Sequence, residues 1–293
     1  MIANQAIPLA LYIHFPWCLR KCPYCDFNSH QAESEAIPEQ QYLAALLKDL
    51  DQLLPRVWGR RVSTIFIGGG TPSLLSPATV SNLLSAIRAR IPCVPALEVT
   101  LEANPGSLEI EKFQQFRDAG ITRLSIGVQS FADDSLQRLG RIHDAEQAHR
   151  AIQLVKACQF DSYNIDLMFG LPGQSISDAQ RDLDIALSYE PSHLSLYQLT
   201  IEANTAFMHR PPENLPDQDI QADMQDLLAA KAADAGLERY EVSAYATTGM
   251  QCRHNVNYWE FGDYLGIGAG AHSKVTDQAG VVRFSRPRLP KQY

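Results

Sequence analysis

Six short apolar runs recur along the chain with helix-period segments between them: 9–15 (LALYIHF), 62–68 (VSTIFIG), 97–103 (LEVTLEA), 121–128 (ITRLSIGV), 161–170 (DSYNIDLMFG) and 193–200 (HLSLYQLT). Most are apolar on both faces, as strands buried in a parallel sheet are. Parallel strands need a crossover between them, normally a helix. The alternation therefore predicts an α/β fold of six βα units, an incomplete TIM-like (β/α)6 barrel. An open, doubly wound sheet is the alternative, and alternation alone does not separate the two.

The intervening segments read as helices. Over 38–54, Tyr42, Leu43, Leu46, Leu47, Leu50, Leu53 and Leu54 fall at i, i+3, i+4 spacing and make one apolar face. Ser76 and Pro77 form an N-cap and first-turn proline for a helix over 78–90. Ser107 is placed to cap 108–119, with Gly120 ending it. Further helices are expected at 144–158 and 177–189. After residue 200 the rhythm changes to a polar, proline-rich connection, HRPPENLPDQD, then a helix over 218–235, then a stretch rich in glycine and aromatics. The expected organisation is a barrel core over 1–205 and an α+β extension over 206–293, with the chain stopping before a further C-terminal domain.

Charge narrows the partners. The formal net charge is −8, with acids and bases interspersed, so no basic stripe marks a nucleic-acid groove. Six cysteines in 293 residues are too few for a disulfide framework and point to a reducing, cytoplasmic setting. The first residues lack the basic start of a signal peptide, and no run approaches the ~18 apolar residues of a membrane span. Peripheral membrane contact is left open.

In parallel barrels chemistry sits at the C-terminal strand ends. Polar or glycine-rich features follow each expected strand here: a cysteine loop, GGGTPS, EANPG, GVQSF, Asp166 within an apolar run, and Gln198 with Thr200. The first is CLRKCPYC, with Cys18, Cys22 and Cys25. CPYC alone reads as a redox dithiol. Zinc would need a fourth ligand, such as His14 or His30. A [4Fe–4S] cluster held by three thiolates would keep one iron open for a ligand. GGGTPS lacks the lysine of a phosphate loop. GIGAGAHS nominally fits a dinucleotide fingerprint, but neither a clear strand before it nor a helix after it is apparent. Cys93 and Cys158 read as buried structural thiols at helix ends.

C-x3-C-x2-C after a first barrel strand, with Tyr24 before its third cysteine, resembles the radical S-adenosylmethionine (SAM) superfamily. The resemblance implies a [4Fe–4S] cluster on Cys18, Cys22 and Cys25, with SAM on the open iron. LYIHFPWC, GGGTPS, LEANPG, SIGVQSF, LGRIHD and NIDLMFGLPGQ further resemble the oxygen-independent coproporphyrinogen III oxidase family, across nearly the whole chain. By that resemblance Tyr12, Tyr24, Gly69, Gly70, Thr71, Glu102, Gln129, Arg141 and Asp166 line the SAM site. The chemistry suits them. Glycines admit close backbone approach, Glu102 and Asp166 accept from an ammonium or ribose, Arg141 matches a carboxylate, and Tyr24 offers a face to adenine. Taken singly, Asp166 could equally cap a loop and Gln129 satisfy backbone. GIGAGAHS resembles a family loop that closes over the site, with His272 a minor candidate. His14, four residues before Cys18, is placed to approach the cluster.

Two departures from the oxidase pattern matter. The oxidase carries a further cysteine two residues after the third, where this chain has Phe27, and it has a longer N-terminal extension than the 17 residues before Cys18. Both resemble instead the HemW branch, heme chaperones of the same family. RHNVNYW (253–259) resembles that branch's H-N-x-x-Y-W signature, which implies His254 as a heme ligand, with Tyr258 and Trp259 packing on the porphyrin. Cys252 is a rival thiolate. Read without the resemblance, His254 caps a turn and the aromatics belong to the core. The expected role is porphyrin-metabolism chaperoning: heme carried to an acceptor protein, with an electron donor needed if SAM is cleaved. An enzymatic role stays open, as a tetrapyrrole oxidase or a methyl-transferring radical SAM catalyst. So does a homodimer.

Overall fold

The computed structural model describes residues 7–32, 37–106 and 110–293. Thirteen strands are described: β1 (Leu9–Phe15), β2 (Trp17–Cys18), β3 (His30–Gln31), β4 (Val62–Gly69), β5 (Cys93–Ala103), β6 (Arg123–Gln129), β7 (Ser162–Phe169), β8 (His193–Gln198), β9 (Glu238–Arg239), β10 (Ala244–Ala246), β11 (Asp263–Ile267), β12 (His272–Asp277) and β13 (Gly280–Ser285). The six expected strands are β1, β4, β5, β6, β7 and β8. They pair in chain order, each parallel to the next. A doubly wound sheet reverses its strand order partway, and this one does not. Side chains of both β1 and β8, Tyr12 and Tyr197 among them, line one interior cavity, so the sheet curls round on itself. The fold is an incomplete, three-quarter (β/α)6 barrel.

Strand alternation sets up the interior. On β6, Leu124, Ile126 and Val128 are fully buried in the apolar core. Arg123, Ser125, Gly127 and Gln129 point the other way, into the cavity. Helices cover the outer face. In Glu39–Leu53, Tyr42, Leu46, Leu50 and Leu53 are buried, and each such leucine stabilises the fold by roughly 1.5–3 kcal/mol. Ser76 caps Pro77–Arg90 by accepting from the Thr79 N–H. Asp144 and Gln147 close a reciprocal capping box on Ala145–Cys158. The helix Ile176–Ser188 follows. The expected Ser107 cap lies outside the described residues. Its helix is described over Phe113–Asp118, and Gly120 ends it with φ of 106°.

Residues beyond 205 extend the same sheet at both edges. β11 runs parallel to β1 on one side and leads into the antiparallel hairpin β12–β13. On the other side β10 pairs antiparallel with β8, and β9 with β10. Gln218–Asp234 is a helix, close to expectation. Two expectations need correction. GIGAGAHS begins within a strand, β11, and runs into another strand, β12, rather than a helix, so residues 268–271 are the turn between the two. The glycines of GIGAGAHS also break the apolar pattern that would have revealed β11. Cys93 opens β5 instead of sitting at a helix end, and both it and Cys158 are half-buried.

A buried charge cluster fastens the extension to the barrel. Asp263 is fully buried and accepts from Arg60 Nη1 at 2.7 Å, Lys274 Nζ at 3.0 Å and the Thr276 N–H at 2.9 Å. Arg60 Nη2 also donates to the Ile7 carbonyl at 2.9 Å. Burial alone would raise the Asp263 pKa. The Thr276 N–H and the Arg60 and Lys274 cations outweigh it and hold the carboxyl below its ordinary value. Its contribution is therefore fully present above about pH 3.9 and fades as pH falls toward the lower folded-state value. Asp263→Ala leaves two buried cations unpaired and is predicted to cost about 3–5 kcal/mol in urea unfolding at pH 7. A loss below about 1 kcal/mol, as for a surface pair, would show that the cluster does not hold the extension.

Candidate functional site

The cysteine loop closes over the C-terminal end of the barrel because backbone comes unusually close to backbone there. The Gly70 N–H donates to the Phe15 carbonyl at 2.6 Å and the Thr71 N–H to the Trp17 carbonyl at 2.8 Å. A Cβ on Gly70 would lie 2.5 Å from the Trp17 oxygen, and one on Gly69, where φ is 115°, would lie 2.6 Å from the His14 ring. Only glycine fits either position. Beyond that root β2 and β3 pair side by side and close the loop. Three outside contacts brace it. The Phe207 N–H donates to the Pro23 carbonyl at 2.9 Å. Gly140 lets Pro23 pack where a Cβ would approach to 2.8 Å. Asn28 Nδ2 donates to the Ala269 and Arg288 carbonyls, both at 2.9 Å.

Below the loop lies a cavity of about 490 Å³. Cys18, Cys22, Cys25, Tyr12, Tyr24, Gly69, Gly70, Thr71, Glu102, Gln129, Arg141, Asp166 and His254 all line it. Every expected site residue is thus brought to one place. Tyr12, Gly69 and Glu102 also line a second, adjoining cavity, a division the sequence did not suggest.

Cys18, Cys22 and Cys25 line one cavity, and three thiols are a donor set that fits a [4Fe–4S] cluster, each thiolate taking a different iron and one iron staying open to a ligand. Burial raises the pKa of Cys18 and Cys25, so without metal both favour the thiol form. Metal binding would displace those protons. Polar groups already face the sulfurs: Arg141 Nη1 lies 3.7 Å from Cys22 Sγ and Ser29 Oγ 3.6 Å from Cys25 Sγ. Such contacts tune cluster potentials.

Arg141 is held from the far side, its Nη2 donating to Asn104 Oδ1 at 2.6 Å and the Gly127 carbonyl at 2.9 Å. Asn104 Nδ2 in turn donates to Thr71 Oγ1 at 3.2 Å. The N–H groups of Gly69, Gly70 and Thr71 are all spent, the first on Glu102 Oε2 at 3.0 Å. A ligand ammonium, which donates, must therefore use carbonyls and carboxylates. Burial, with Asp166 nearby, pushes the Glu102 pKa up to about 7, and burial also raises that of Asp166. The Arg123 charge offsets part of that rise at both carboxyls. Gln129 adopts φ of 71°, a left-handed conformation rare outside glycine and asparagine, at the end of β6.

His254 is engaged through both ring nitrogens. It sits at the barrel floor, 2 % exposed, with Nδ1 bonded to Thr64 Oγ1 at 2.9 Å and Nε2 to the Tyr258 hydroxyl at 3.1 Å. Burial and the nearby Arg123 charge push its pKa down to about 3, so the ring is neutral. Glu98 caps the helix Arg253–Trp259 by accepting from the Arg253 and His254 N–H groups. Trp259 is exposed, and Cys252 Sγ lies 3.7 Å from Glu98 Oε1. His14 does not face the cysteines. Its ring bonds the Tyr12 hydroxyl and the Asn28 carbonyl. Sequence reasoning missed Arg123, buried at the cavity floor. A charge inside the apolar run ITRLSIGV was the available signal, the same that singled out Asp166.

Parallel βα units curled round such a cavity, with C-x3-C-x2-C at its mouth, define a radical SAM barrel. The Radical SAM superfamily profile matches residues 12–186. The heme chaperone HemW of Haemophilus influenzae is 52 % identical over 98 % of this chain and 76 % of its own length. That of Escherichia coli is 51 % identical over 98 % and 75 %. Among solved structures, E. coli coproporphyrinogen III oxidase (HemN), a radical SAM enzyme, is 26 % identical with a TM-score of 0.85, covering 99 % of this chain and 69 % of that one. The chain belongs to the HemW family of radical SAM proteins. No helix among the described residues is long and apolar enough to cross a membrane.

Anaerobic reconstitution is predicted to give about four irons per chain, and Cys22→Ala to abolish that iron and its visible absorption. Stoichiometric zinc in the anaerobically purified protein would contradict the assignment.

Proposed function

We propose that this protein is a heme chaperone: it binds heme, carries a SAM-ligated [4Fe–4S] cluster, and passes heme to an acceptor protein. The observation that carries the reading is Phe27, 62 % exposed at the cavity mouth. The oxidase pattern resembled above has a cysteine at this position. An apolar aromatic there is a surface for a flat macrocycle. Curated relatives at about half identity are heme chaperones.

Cys18, Cys22 and Cys25 would hold the cluster, whose bound SAM would supply one-electron chemistry if a donor reduces it. This chain's residues shape the SAM site around it. Arg141, braced by Asn104, offers its guanidinium to a carboxylate. Glu102 and Asp166 receive an ammonium or hydroxyls, and Tyr24 packs beside Phe207 as one wall. Acceptor proteins, an electron donor and any second copy of the chain are partners of this reading.

The Glu102 pKa gives a direct test of the SAM site. Below about pH 7 Glu102 is protonated and attracts a ligand ammonium poorly. SAM affinity is therefore predicted to rise with pH up to about 7, by as much as about tenfold per unit, and then level. Glu102→Gln should weaken binding and flatten that profile in calorimetric titration across pH 6–8. An unchanged profile would remove Glu102 from the site. For the heme reading itself, hemin titration of the full chain is predicted to saturate at about one heme per chain with a Soret band. Absence of a stoichiometric Soret band would end that reading.

A further inference from the structure

The second cavity, about 640 Å³, opens beside the first between the cysteine loop and the turn joining β11 to β12. Phe27, Tyr258 and Tyr264 give it aromatic walls, and His272 and Arg288 also line it. It lies in the size range of ligand sites, and polar and charged groups, Asn28 and Glu102 among them, alternate with those rings. Phe27, Tyr12 and Tyr258 face both cavities, so a ligand here would adjoin the SAM site.

Four histidines line the two cavities: His14, His193, His254 and His272. An axial ligand to iron must present a ring nitrogen with no other partner. His14 bonds through both nitrogens, as do His193, to Asn164 and Tyr240, and His254, to Thr64 and Tyr258. His272 is exposed at the start of β12, and no hydrogen bond among the described residues engages its ring. The arginines divide likewise. Arg286 pairs with Asp49 and lies over the Phe284 ring. Arg288 is exposed, and among the described residues its one side-chain bond uses Nε, to Asn28 Oδ1 at 3.4 Å. Its two Nη groups stay open to a carboxylate, in the fork that suits one.

We propose that this second cavity is the heme site, with the His272 imidazole on the iron, the macrocycle against Phe27, Tyr258 and Tyr264, and Arg288 on a propionate. The proposal rests on the heme reading above and deepens it by assigning the iron ligand. It also gives the HNVNYW helix its task. His254 and Glu98 fix that helix against the barrel floor, and Tyr258 forms a wall of the cavity. Heme is exchanged through an open mouth, which suits a cargo handed on better than a buried prosthetic group.

Hemin titrations of the full chain, read by Soret absorption and by electron paramagnetic resonance of the ferric heme, test it. His272→Ala is expected to lose the imidazole-ligated signature and raise the Kd at least about tenfold. His272 is exposed, so folding should be unaffected. Arg288→Ala should raise the Kd about threefold, less so at high salt. His209→Ala, at an exposed position lining neither cavity, should match the parent protein and controls for loss of a surface histidine. His254→Gln, which keeps a polar partner for Thr64 and Tyr258, should retain the signature. Imidazole added to His272→Gly should restore the signature and heme retention through gel filtration. If the parent binds heme and His272→Ala keeps its ligand signature, the proposal is overturned while the heme reading stands. If His254→Gln loses the signature while His272→Ala keeps it, the iron ligand is His254 and the proposal is overturned. If the parent itself binds no heme, the heme reading fails and this site fails with it.

Discussion

The close approach of Gly70 and Thr71 to the carbonyls of Phe15 and Trp17 is the contact on which the rest of the site depends. It ties the end of β4 to the end of β1 at the point where the chain leaves the barrel. The cysteine loop starts there, so its three sulfurs are placed over the cavity by backbone hydrogen bonds and not by their own packing. A Cβ at Gly70 would push the two strand ends apart, and one at Gly69 would strike the His14 ring. The polar chain from Thr71 through Asn104 to Arg141 then carries that placement across the cavity mouth to Cys22. A rigid barrel below and a braced loop above leave little freedom to the residues that line the cavity, which is what a reactive cofactor requires.

The extension completes the barrel in a different way. β11 joins the sheet beside β1 in parallel register, so residues more than 200 positions apart share a ladder. Asp263 locks that ladder to Arg60 at the opposite end from the cysteines. The helix Arg253–Trp259 covers the floor. The turn after β11 reaches the cysteine loop through Asn28. The extension thus covers one end itself and braces the cysteine loop that closes the other, with Phe27, His272 and Arg288 lining the cavity between loop and turn.

Much of this was legible in the sequence, for physical reasons. A buried parallel strand must be apolar on both faces, so LALYIHF, VSTIFIG and their fellows announced themselves, and polar residues just beyond them marked the site. β11 was hidden because its neighbours are glycines and its pairing partner, β1, is remote in sequence. The state of His254 was equally hidden. A motif gives residue types but not whether Thr64, 190 positions away, already holds the ring. Arg123 escaped because one cation in an apolar run looks like noise until its strand is seen to face a cavity. Conversely, His272 drew little attention in sequence. Its loop, GIGAGAHS, marked it only as a minor candidate, and the geometry separates it from three histidines whose rings are engaged.

On the proposed function, a radical SAM barrel closely resembling an oxidase carries a porphyrin instead of oxidising it. Supplying the reconstituted protein, shown to bind heme, with coproporphyrinogen III, SAM and a low-potential reductant, and following decarboxylated porphyrinogen anaerobically, tests this. A chaperone gives no product above the protein-free control from a preparation that holds about one heme per chain. Multiple turnovers to a decarboxylated product would contradict it.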